Sequence, residues 1–282
     1  MEIKKVAVIG AGAMGSGIAY ICAAKNYEVS IVDVNEELLS RGVKRIREMI
    51  VEGVNRGKLT PREAEETIRK IKGTTDITEA VKDADIVIEA VFEDINIKKE
   101  VFQKLDEACP SHTILASNTS ALSITEMASA TKRPDKVIGL HFFNPPYAMK
   151  LVEVVLGAQT SEEARKMTTD FAVSLGKETV TAKDTPGFIV NRVLSAAIGE
   201  AILLLQEGIA SAEEIDKAIT FGLNWPVGPL RLADFVGLDI ALDVGKVIYK
   251  ALGDKYKPPL LLEDKVKAGH LGMKTRKGFY EY

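Results

Sequence analysis

A chain of 282 residues is long for one compact domain and comfortable for two, so a domain boundary is expected. With 46% hydrophobic and 27% charged residues, the composition excludes collagen-like and disordered proteins, and no apolar run reaches the roughly 20 residues of a membrane span. A net charge of −3 gives no reason to expect a nucleic-acid partner. Cys22 and Cys109 are too few for a disulfide framework, and no leader pattern opens the chain, so we expect a soluble, cytoplasmic protein.

The N-terminal part of the chain alternates strand-like and helix-like segments. The patterns predict a strand over 4–9, a helix over 14–25 and a second strand over 28–32. From Glu36 the apolar period becomes helical, up to a glycine-containing break at Arg56-Gly57. A second helix begins under a capping box, in which Thr60 caps the helix and Glu63 reaches back. We interpret residues 36–72 as a helical arm inserted into a sheet domain.

Alternation resumes after the arm. Strands are predicted over 85–89, 113–116 and 136–141, and helices over 95–108 and from Ser123. Parallel strands joined by crossover helices are expected from this order. The segment 150–155 differs, because only Asn144-Pro145-Pro146-Tyr147 separates it from the preceding strand, too few residues for a helical crossover. We therefore predict an antiparallel hairpin there.

Strand signals stop in the last third of the chain. A helix from Ser161 and a strand near 179–182 are followed by Asp184-Thr185-Pro186-Gly187, which interrupts the pattern. From Ile189 onward the periodicity is helical. This predicts an α/β domain over 1–185 and an all-α domain over 186–282.

A glycine cluster follows the first predicted strand. Gly10-Ala11-Gly12-Ala13-Met14-Gly15 matches the G-x-G-x-x-G pattern, in which the backbone approaches a pyrophosphate at a helix N-terminus. The motif alone is weak, since a tight turn in another α/β protein would match it. Here it lies between a strand and a helix, and Asp33 ends the second strand 18 residues after Gly15. Asp33 would bind the adenosine ribose and repel a 2′-phosphate, so we predict a Rossmann-type doubly wound sheet that binds NAD.

His141 stands out among the three histidines, because it ends a predicted strand, where ligands bind in doubly wound sheets. If the hairpin folds about Tyr147, residues whose numbers sum to 294 face each other, which pairs His141 with Glu153 on one face. A carboxylate fixes the imidazole tautomer and favours the imidazolium, which suits proton transfer. Residue type alone favours a structural histidine and a surface glutamate; the hairpin and the neighbouring cofactor motif reverse that preference.

Besides the glycine turn Val8-Ile9-Gly10-Ala11-Gly12, six further motifs occur in order along the chain. They are Glu89-Ala90-Val91-Phe92-Glu93, Ser117-Asn118-Thr119-Ser120, His141-Phe142-Phe143-Asn144-Pro145, Pro186-Gly187-Phe188-Ile189-Val190-Asn191-Arg192, Pro226-Val227-Gly228-Pro229 and Gly278-Phe279-Tyr280. Over essentially its whole length the chain resembles the 3-hydroxyacyl-CoA dehydrogenase family, most closely its short bacterial 3-hydroxybutyryl-CoA dehydrogenases. The resemblance implies reversible NAD-dependent oxidation of an L-3-hydroxyacyl-CoA to the 3-oxoacyl-CoA, a reaction of fatty-acid β-oxidation or butanoate metabolism.

The resemblance also implies roles for single residues. His141 is the residue that transfers the proton, and Glu153 orients the imidazole of His141. Ser120 and Asn191 form hydrogen bonds with the substrate near its C3 oxygen and its carbonyl. Because Asn191 lies on the first helix of the second domain, the site is expected at the domain interface. The implied cofactor contacts are Gly10, Gly12, Ala13, Met14, Gly15, Asp33, Ala90, Val91, Glu93, Lys98, Asn118, Ser120, Asn144 and Lys274. No metal is expected. The family often has glycine where this chain has Arg276, which leaves the loop geometry there open.

The helical arm is a basic segment of an acidic chain. Residues 41–72 hold ten Lys or Arg and five Glu, a net charge of +5. A pair of solvated amphipathic helices would explain this equally well. The resemblance instead suggests contact with the 3′-phospho-ADP part of coenzyme A, and Arg56 and Lys58 are the residues chosen for it.

Three functions stay open at this point: an L-3-hydroxyacyl-CoA dehydrogenase, a dehydrogenase of a free hydroxy acid or sugar acid, and a non-catalytic nucleotide-binding protein. The combination of Ser120, His141, Glu153 and Asn191 argues against the third. Long apolar runs over 198–205 and 240–248 exceed what a small helical domain buries alone. We therefore expect a homodimer through this domain, as the resemblance also implies.

Overall fold

A computed structural model describes residues 3–282 of the protein. The chain separates into two compact units, one ending at Asp184 and the other spanning Thr185–Tyr282. Among the described residues, no helix is long and apolar enough to cross a membrane.

The first unit is built on one sheet of eight strands in the order β3-β2-β1-β4-β5-β6-β7-β8. The strands are β1 Lys5–Ile9, β2 Glu28–Val32, β3 Ile71–Thr74, β4 Ile86–Glu89, β5 Ile114–Ser117, β6 Val137–Phe142, β7 Leu151–Leu156 and β8 Glu178–Lys183. All neighbouring strands pair in parallel except β6 and β7, which pair antiparallel. The order reverses direction between β1 and β4, which is where doubly wound sheets bind ligands. The expected fold class and the hairpin are confirmed.

In the part of this unit that the structure describes, seven helices cover the sheet. They are α1 Ala13–Ala24, α2 Glu36–Asn55, α3 Pro61–Arg69, α4 Ile77–Val81, α5 Ile95–Ala108, α6 Ile124–Ala128 and α7 Glu162–Ser174. Helix α1 is buried nearly all round, because β1 and β2 lie on one side of it and α2 and α3 on the other. Val8, Ile31 and Ile88 are fully buried in the core beneath it. The β-branched residues on both faces of these strands suit a parallel sheet that helices cover on both sides.

The predicted arm consists of α2 and α3, and its capping box at Thr60 and Glu63 is present. Its predicted end at residue 72 is wrong, because Ile71–Thr74 forms the edge strand β3 beside β2. Four residues that include Lys72 and Gly73 carry no alternating pattern, so only pairing with β2 reveals this strand. Ile46 and Ile50 of α2 are buried in the core of the unit, so the arm is packed along one face.

The second unit is all-α, as expected. Its helices are α8 Val190–Gln206, α9 Ala212–Leu223, α10 Pro229–Val236, α11 Leu238–Leu252 and α12 Leu260–Lys267. Short 3-10 turns lie at Asp254–Tyr256 and Met273–Thr275 in this unit and at Pro134–Lys136 in the first unit. Ile202, Leu230 and Leu238 are fully buried in a core of their own. Ile198 and Leu242, from the two apolar runs, are buried in the same core, whereas Ile240 is half exposed.

Two buried aspartates explain two of the glycine-containing motifs of this unit, Pro226-Val227-Gly228-Pro229 and Gly278-Phe279-Tyr280. Asp216 accepts hydrogen bonds from the backbone N–H groups of Leu230 (2.8 Å) and Arg231 (2.9 Å), in the first turn of α10. A Cβ on Gly228 would lie 2.3 Å from Asp216. Asp234 likewise accepts from Phe279 N and Tyr280 N, both at 2.9 Å. Each motif therefore lets a carboxylate bind the backbone closely.

The chain adopts a left-handed conformation at Arg276, with φ +58° and ψ +14°. Glycine takes this conformation with little strain, whereas other residues adopt it at a cost of roughly 1 kcal/mol. The turn therefore keeps the geometry that a glycine would have, and the exposed arginine side chain is accommodated in it.

Candidate active site

The turn after β1 shows why its glycines are needed. Gly10 has φ +101°, and a Cβ there would lie 2.6 Å from the carbonyl oxygen of Ala90. A Cβ on Gly15 would lie 1.8 Å from Gly10 O, whereas one on Gly12 would meet nothing within 4 Å. Gly12 is the N-cap residue of α1 and supplies no side-chain cap, which leaves the N–H groups of the first helical turn for a ligand at the positive end of the helix dipole. This cradle fits a dinucleotide pyrophosphate.

Asp33 follows β2 directly, beside that turn. Its Oδ2 accepts a hydrogen bond from Ala11 N at 2.8 Å and its Oδ1 accepts one from Val34 N at 2.7 Å. The Ala11 carbonyl is itself held by Ser16 Oγ at 2.9 Å and Arg45 Nη1 at 3.2 Å. The carboxylate is therefore oriented before any ligand binds, at the position where an adenosine ribose would meet it.

His141 and Glu153 face each other across β6 and β7, in the predicted register. The distance from His141 Nδ1 to Glu153 Oε2 is 2.7 Å, and Glu153 is fully buried. Because the carboxylate accepts a hydrogen bond from Nδ1–H, Nε2 becomes the nitrogen that exchanges protons with a ligand. The ring of Phe143 packs beside the imidazole, with 4.5 Å between the two ring centroids. This arrangement is that of a general acid or base with an orienting carboxylate.

The end of β5 ties the histidine strand to the neighbouring loop. Asn118 accepts a hydrogen bond from Phe142 N at 2.9 Å through its Oδ1, and Phe142 is the residue after His141. Asn144 lies exposed in the turn that follows, before the cis bond to Pro145. Asn118 thus fixes the chain on which the imidazole stands.

Ser120 is held by an acidic residue of the predicted cofactor set. Glu93 accepts hydrogen bonds from Ser120 N (2.8 Å) and from the Thr119 hydroxyl (2.5 Å). Lys98 lies 3.3 Å from the other oxygen of Glu93 and is buried, with its Nζ 2.6 Å from Glu89. In the sequence Glu89 stands out only as part of a motif, although a carboxylate at the end of the apolar run that begins at Ile86 indicates a buried partner.

The first unit therefore brings most predicted site residues to one edge of the sheet. The glycine turn, Asp33, Ala90, Val91, Glu93, Asn118, Ser120, His141 and Asn144 all follow or lie at the carboxyl ends of strands β1, β2, β4, β5 and β6. Asn191 is the second residue of α8 in the second unit, and Lys274 there is ion-paired with Asp239. The described residues contain no group of three or more His, Cys, Asp or Glu that could hold a metal ion.

A basic groove of about 340 Å³ lies along the arm of the first unit. Its basic residues are Lys25, Arg56, Lys58, Lys150 and Lys177. Arg56 is ion-paired with Glu52, and Lys177 is buried with its Nζ donating to the Met149 carbonyl at 2.7 Å. Burial lowers the pKa of Lys177. Lys25, Lys150 and Lys177 were not anticipated, because only the fold places the ends of α1, the hairpin and the start of β8 beside the arm.

Comparison with known families decides the assignment. The NAD-binding domain of 3-hydroxyacyl-CoA dehydrogenases matches residues 5–185, and the C-terminal domain of the same enzymes matches residues 187–282. The chain belongs to the 3-hydroxyacyl-CoA dehydrogenase family. It is an NAD-dependent oxidoreductase, and the predicted family and cofactor are confirmed.

Its relatives cover the whole chain. It is 48% identical over 283 residues to the probable 3-hydroxybutyryl-CoA dehydrogenase of Bacillus subtilis, covering 100% of this chain and 98% of the relative. It is 45% identical to the 3-hydroxybutyryl-CoA dehydrogenase of Clostridioides difficile, covering 99% of each. The crystal structure of (S)-3-hydroxybutyryl-CoA dehydrogenase from Ralstonia eutropha matches with a TM-score of 0.96 at 41% identity, covering 100% of this chain and 99% of that one.

Replacing Asp33 with Ala should erode the preference for NAD over NADP. The carboxylate would lie against a 2′-phosphate, and removing this repulsion should lower the ratio of kcat/KM values by about tenfold or more, equivalent to about 1.4 kcal/mol. The two efficiencies are measured with each cofactor. Glu36→Gln, an exposed acid three residues away, is the matched control and should leave the ratio unchanged. Equal efficiency with NADP in the unaltered enzyme would contradict this role.

Proposed function

We propose that this enzyme reversibly oxidises L-3-hydroxyacyl-CoA thioesters, converting 3-hydroxybutyryl-CoA to acetoacetyl-CoA with NAD. The observation that carries the proposal is the His141–Glu153 pair, with 2.7 Å between Nδ1 and Oε2, on the sheet edge that also carries the glycine turn. The names of the relatives support the four-carbon substrate. Activity with acetoacetyl-CoA and NADH, and none with free acetoacetate, is the direct test.

His141 carries the proton in the proposed reaction. When bound, NAD accepts the hydride that leaves C3 of the substrate. The C3 oxygen can become a carbonyl only if its hydroxyl proton leaves as well, and Nε2 of His141 takes that proton. Glu153 stabilises the resulting imidazolium through Nδ1. In the reductive direction the same imidazolium returns the proton to the C3 oxygen.

Two further side chains are assigned to the substrate. Ser120 would donate a hydrogen bond to the C3 oxygen, which gains negative charge when its proton leaves. The hydrogen bonds that Glu93 accepts from the Ser120 backbone N–H and the Thr119 hydroxyl support this role, because they hold the loop in one position. The role of Asn191, as a donor to the substrate carbonyl, rests on its match to the family motif.

The cofactor would lie across the glycine turn. The backbone from Gly10 to Gly15 would hold the pyrophosphate and Asp33 the adenosine ribose, as the cradle and the oriented carboxylate support. The remaining contacts are proposed from the family resemblance and comprise Ala90, Val91, Glu93, Lys98, Asn118, Ser120, Asn144 and Lys274.

Coenzyme A phosphates would bind in the basic groove. Arg56 and Lys58 are both exposed there, and Lys25 and Lys150 from outside the arm add positive charge to the groove. A free hydroxy acid has no phosphate for this groove to bind. The groove therefore supports a thioester substrate over the alternative of a free acid.

The proposed location is the cytoplasm. Cys22 and Cys109 are both buried and unpaired with each other. Burial raises the pKa of both thiols, that of Cys109 to about 12, so they stay protonated and inert. This use of cysteine as a small apolar residue suits a reducing compartment.

His141→Ala should lower turnover of acetoacetyl-CoA by about two to four orders of magnitude, the usual scale for loss of a general acid or base. Glu153→Gln should also be severely impaired, because the imidazolium loses its charged partner. Steady-state kinetics measure turnover, and NADH titration should show little change in cofactor binding. His112→Ala, a partly exposed histidine near Asp85, is the control. Near-normal turnover in both site variants would place the proton path elsewhere.

Arg56→Ala/Lys58→Ala should raise KM for acetoacetyl-CoA by at least about tenfold, since a hydrogen bond to a charged group contributes about 1.5–3 kcal/mol. The loss should shrink at high salt, and a truncated acetoacetyl-pantetheine thioester should be little affected, because it lacks the phosphates. Arg62→Ala/Arg69→Ala removes the same charge from exposed ion pairs on α3 and serves as control. Equal losses for both substrates would mean that Arg56 and Lys58 belong only to a solvated helix face and do not bind coenzyme A.

We also propose a homodimer through the second unit. Large apolar side chains lie exposed on it, among them Val193, Phe221, Leu223 and Leu260, which is typical of an interface. Solution scattering should give twice the 30.7 kDa of one chain, and Phe221→Asp should shift the mass towards a monomer. A concentration-independent monomer mass of the unaltered protein would refute this arrangement.

A further inference from the structure

A buried pair of opposite charges lies at the end of β4, behind the loop that carries Ser120. Glu89 is 0% exposed and Lys98 is 1% exposed. Lys98 Nζ lies 2.6 Å from Glu89 Oε1, which also accepts a hydrogen bond from Val91 N at 2.7 Å. The other oxygen of Glu89 accepts from the Ser117 hydroxyl at 2.6 Å. The carboxylate is therefore held by three donors, one each from α5, β5 and the loop after β4.

The pair extends to Ser120 through two routes. Along one route, Lys98 contacts Glu93 at 3.3 Å, and Glu93 accepts from Ser120 N at 2.8 Å. Along the other, the Ser117 hydroxyl that donates to Glu89 accepts a hydrogen bond from Thr119 N at 3.2 Å. Both routes start at Glu89 and end on the backbone beside Ser120.

Stability alone does not explain this pair. Two charges removed from water repay their desolvation only with excellent geometry, and an apolar pair of similar volume is often as stable or more so. What the charges do supply is direction, because each ion pair and hydrogen bond restricts where its partner can lie. Without the Glu89 charge, Lys98 would have Glu93 as its remaining carboxylate partner in this network, and Glu93 would be drawn from Ser120 N.

We propose that Glu89 is a positioning residue of the reaction, which acts through Lys98 and Glu93 to hold Ser120 where it meets the C3 oxygen. This inference rests on the proposed function, since it assigns Glu89 a part in the work of Ser120. Glu89 touches neither substrate nor cofactor in this assignment. It also gives the motifs Glu89–Glu93 and Ser117–Ser120 a common purpose.

The test is a double-mutant cycle with acetoacetyl-CoA and NADH. Glu89→Gln keeps the size of the side chain and removes its charge. It should lower kcat by about tenfold or more in the unaltered background, within the range of coupling seen between residues of one hydrogen-bond network. In the Ser120→Ala background the same change should lower kcat less than about twofold, because the group it positions is gone. Glu100→Gln, an exposed acid on α5, should change kcat in neither background.

Ser117→Ala repeats the cycle should Glu89→Gln fail to fold. It removes one donor to Glu89 and leaves the ion pair intact, so a smaller loss of kcat that also disappears with Ser120→Ala is expected. An equal loss in both backgrounds would overturn the inference and assign Glu89 a structural or cofactor role. Full activity of Ser120→Ala would overturn it as well. Absence of acetoacetyl-CoA reduction by the unaltered enzyme would instead reject the proposed function.

Discussion

The antiparallel pairing of β6 with β7 places His141 opposite Glu153, and the proposed chemistry depends on this one reversal in an otherwise parallel sheet. Side chains alternate between faces along a strand, so a shift of one residue would move Glu153 to the opposite face. A fully buried carboxylate needs a partner, and the imidazole at 2.7 Å provides it. The register is thus favoured both by backbone pairing and by the requirement to satisfy a buried charge.

The remaining groups assemble around this pair because parallel strands end at a common edge. Gly10 follows β1, Asp33 follows β2 and Asn118 follows β5, although far apart in sequence. Direct contacts join them to their neighbours: Asp33 binds the glycine turn and Asn118 binds the strand of His141. The cofactor cradle and the proton-transfer pair therefore belong to one sheet edge, which suits a reaction that needs short distances.

Charge is distributed differently from what the basic arm alone suggested. Arg56 of the arm is partly neutralised by Glu52, whereas Lys25, Lys150 and Lys177 from three other elements line the same groove. The arm itself is packed against α1, and its residues Ile46 and Ile50 are buried in the core of the unit. The groove is a property of the packed unit, and a charge count along the chain locates only one of its walls.

Features that depend on residues close together in the chain could be predicted from the sequence. The capping box at Thr60, the glycine turn and the hairpin depend on residues close together in the chain, and the short link between β6 and β7 sufficed to predict the His141–Glu153 register. The edge strand β3, the walls of the groove and the buried Glu89–Lys98–Ser117 network were decided by the tertiary structure. A strand of four residues is too short to show a pattern, so only its pairing with β2 identifies it. Ser117 and Glu89 are 28 residues apart in sequence, and only the pairing of β4 with β5 brings them into contact.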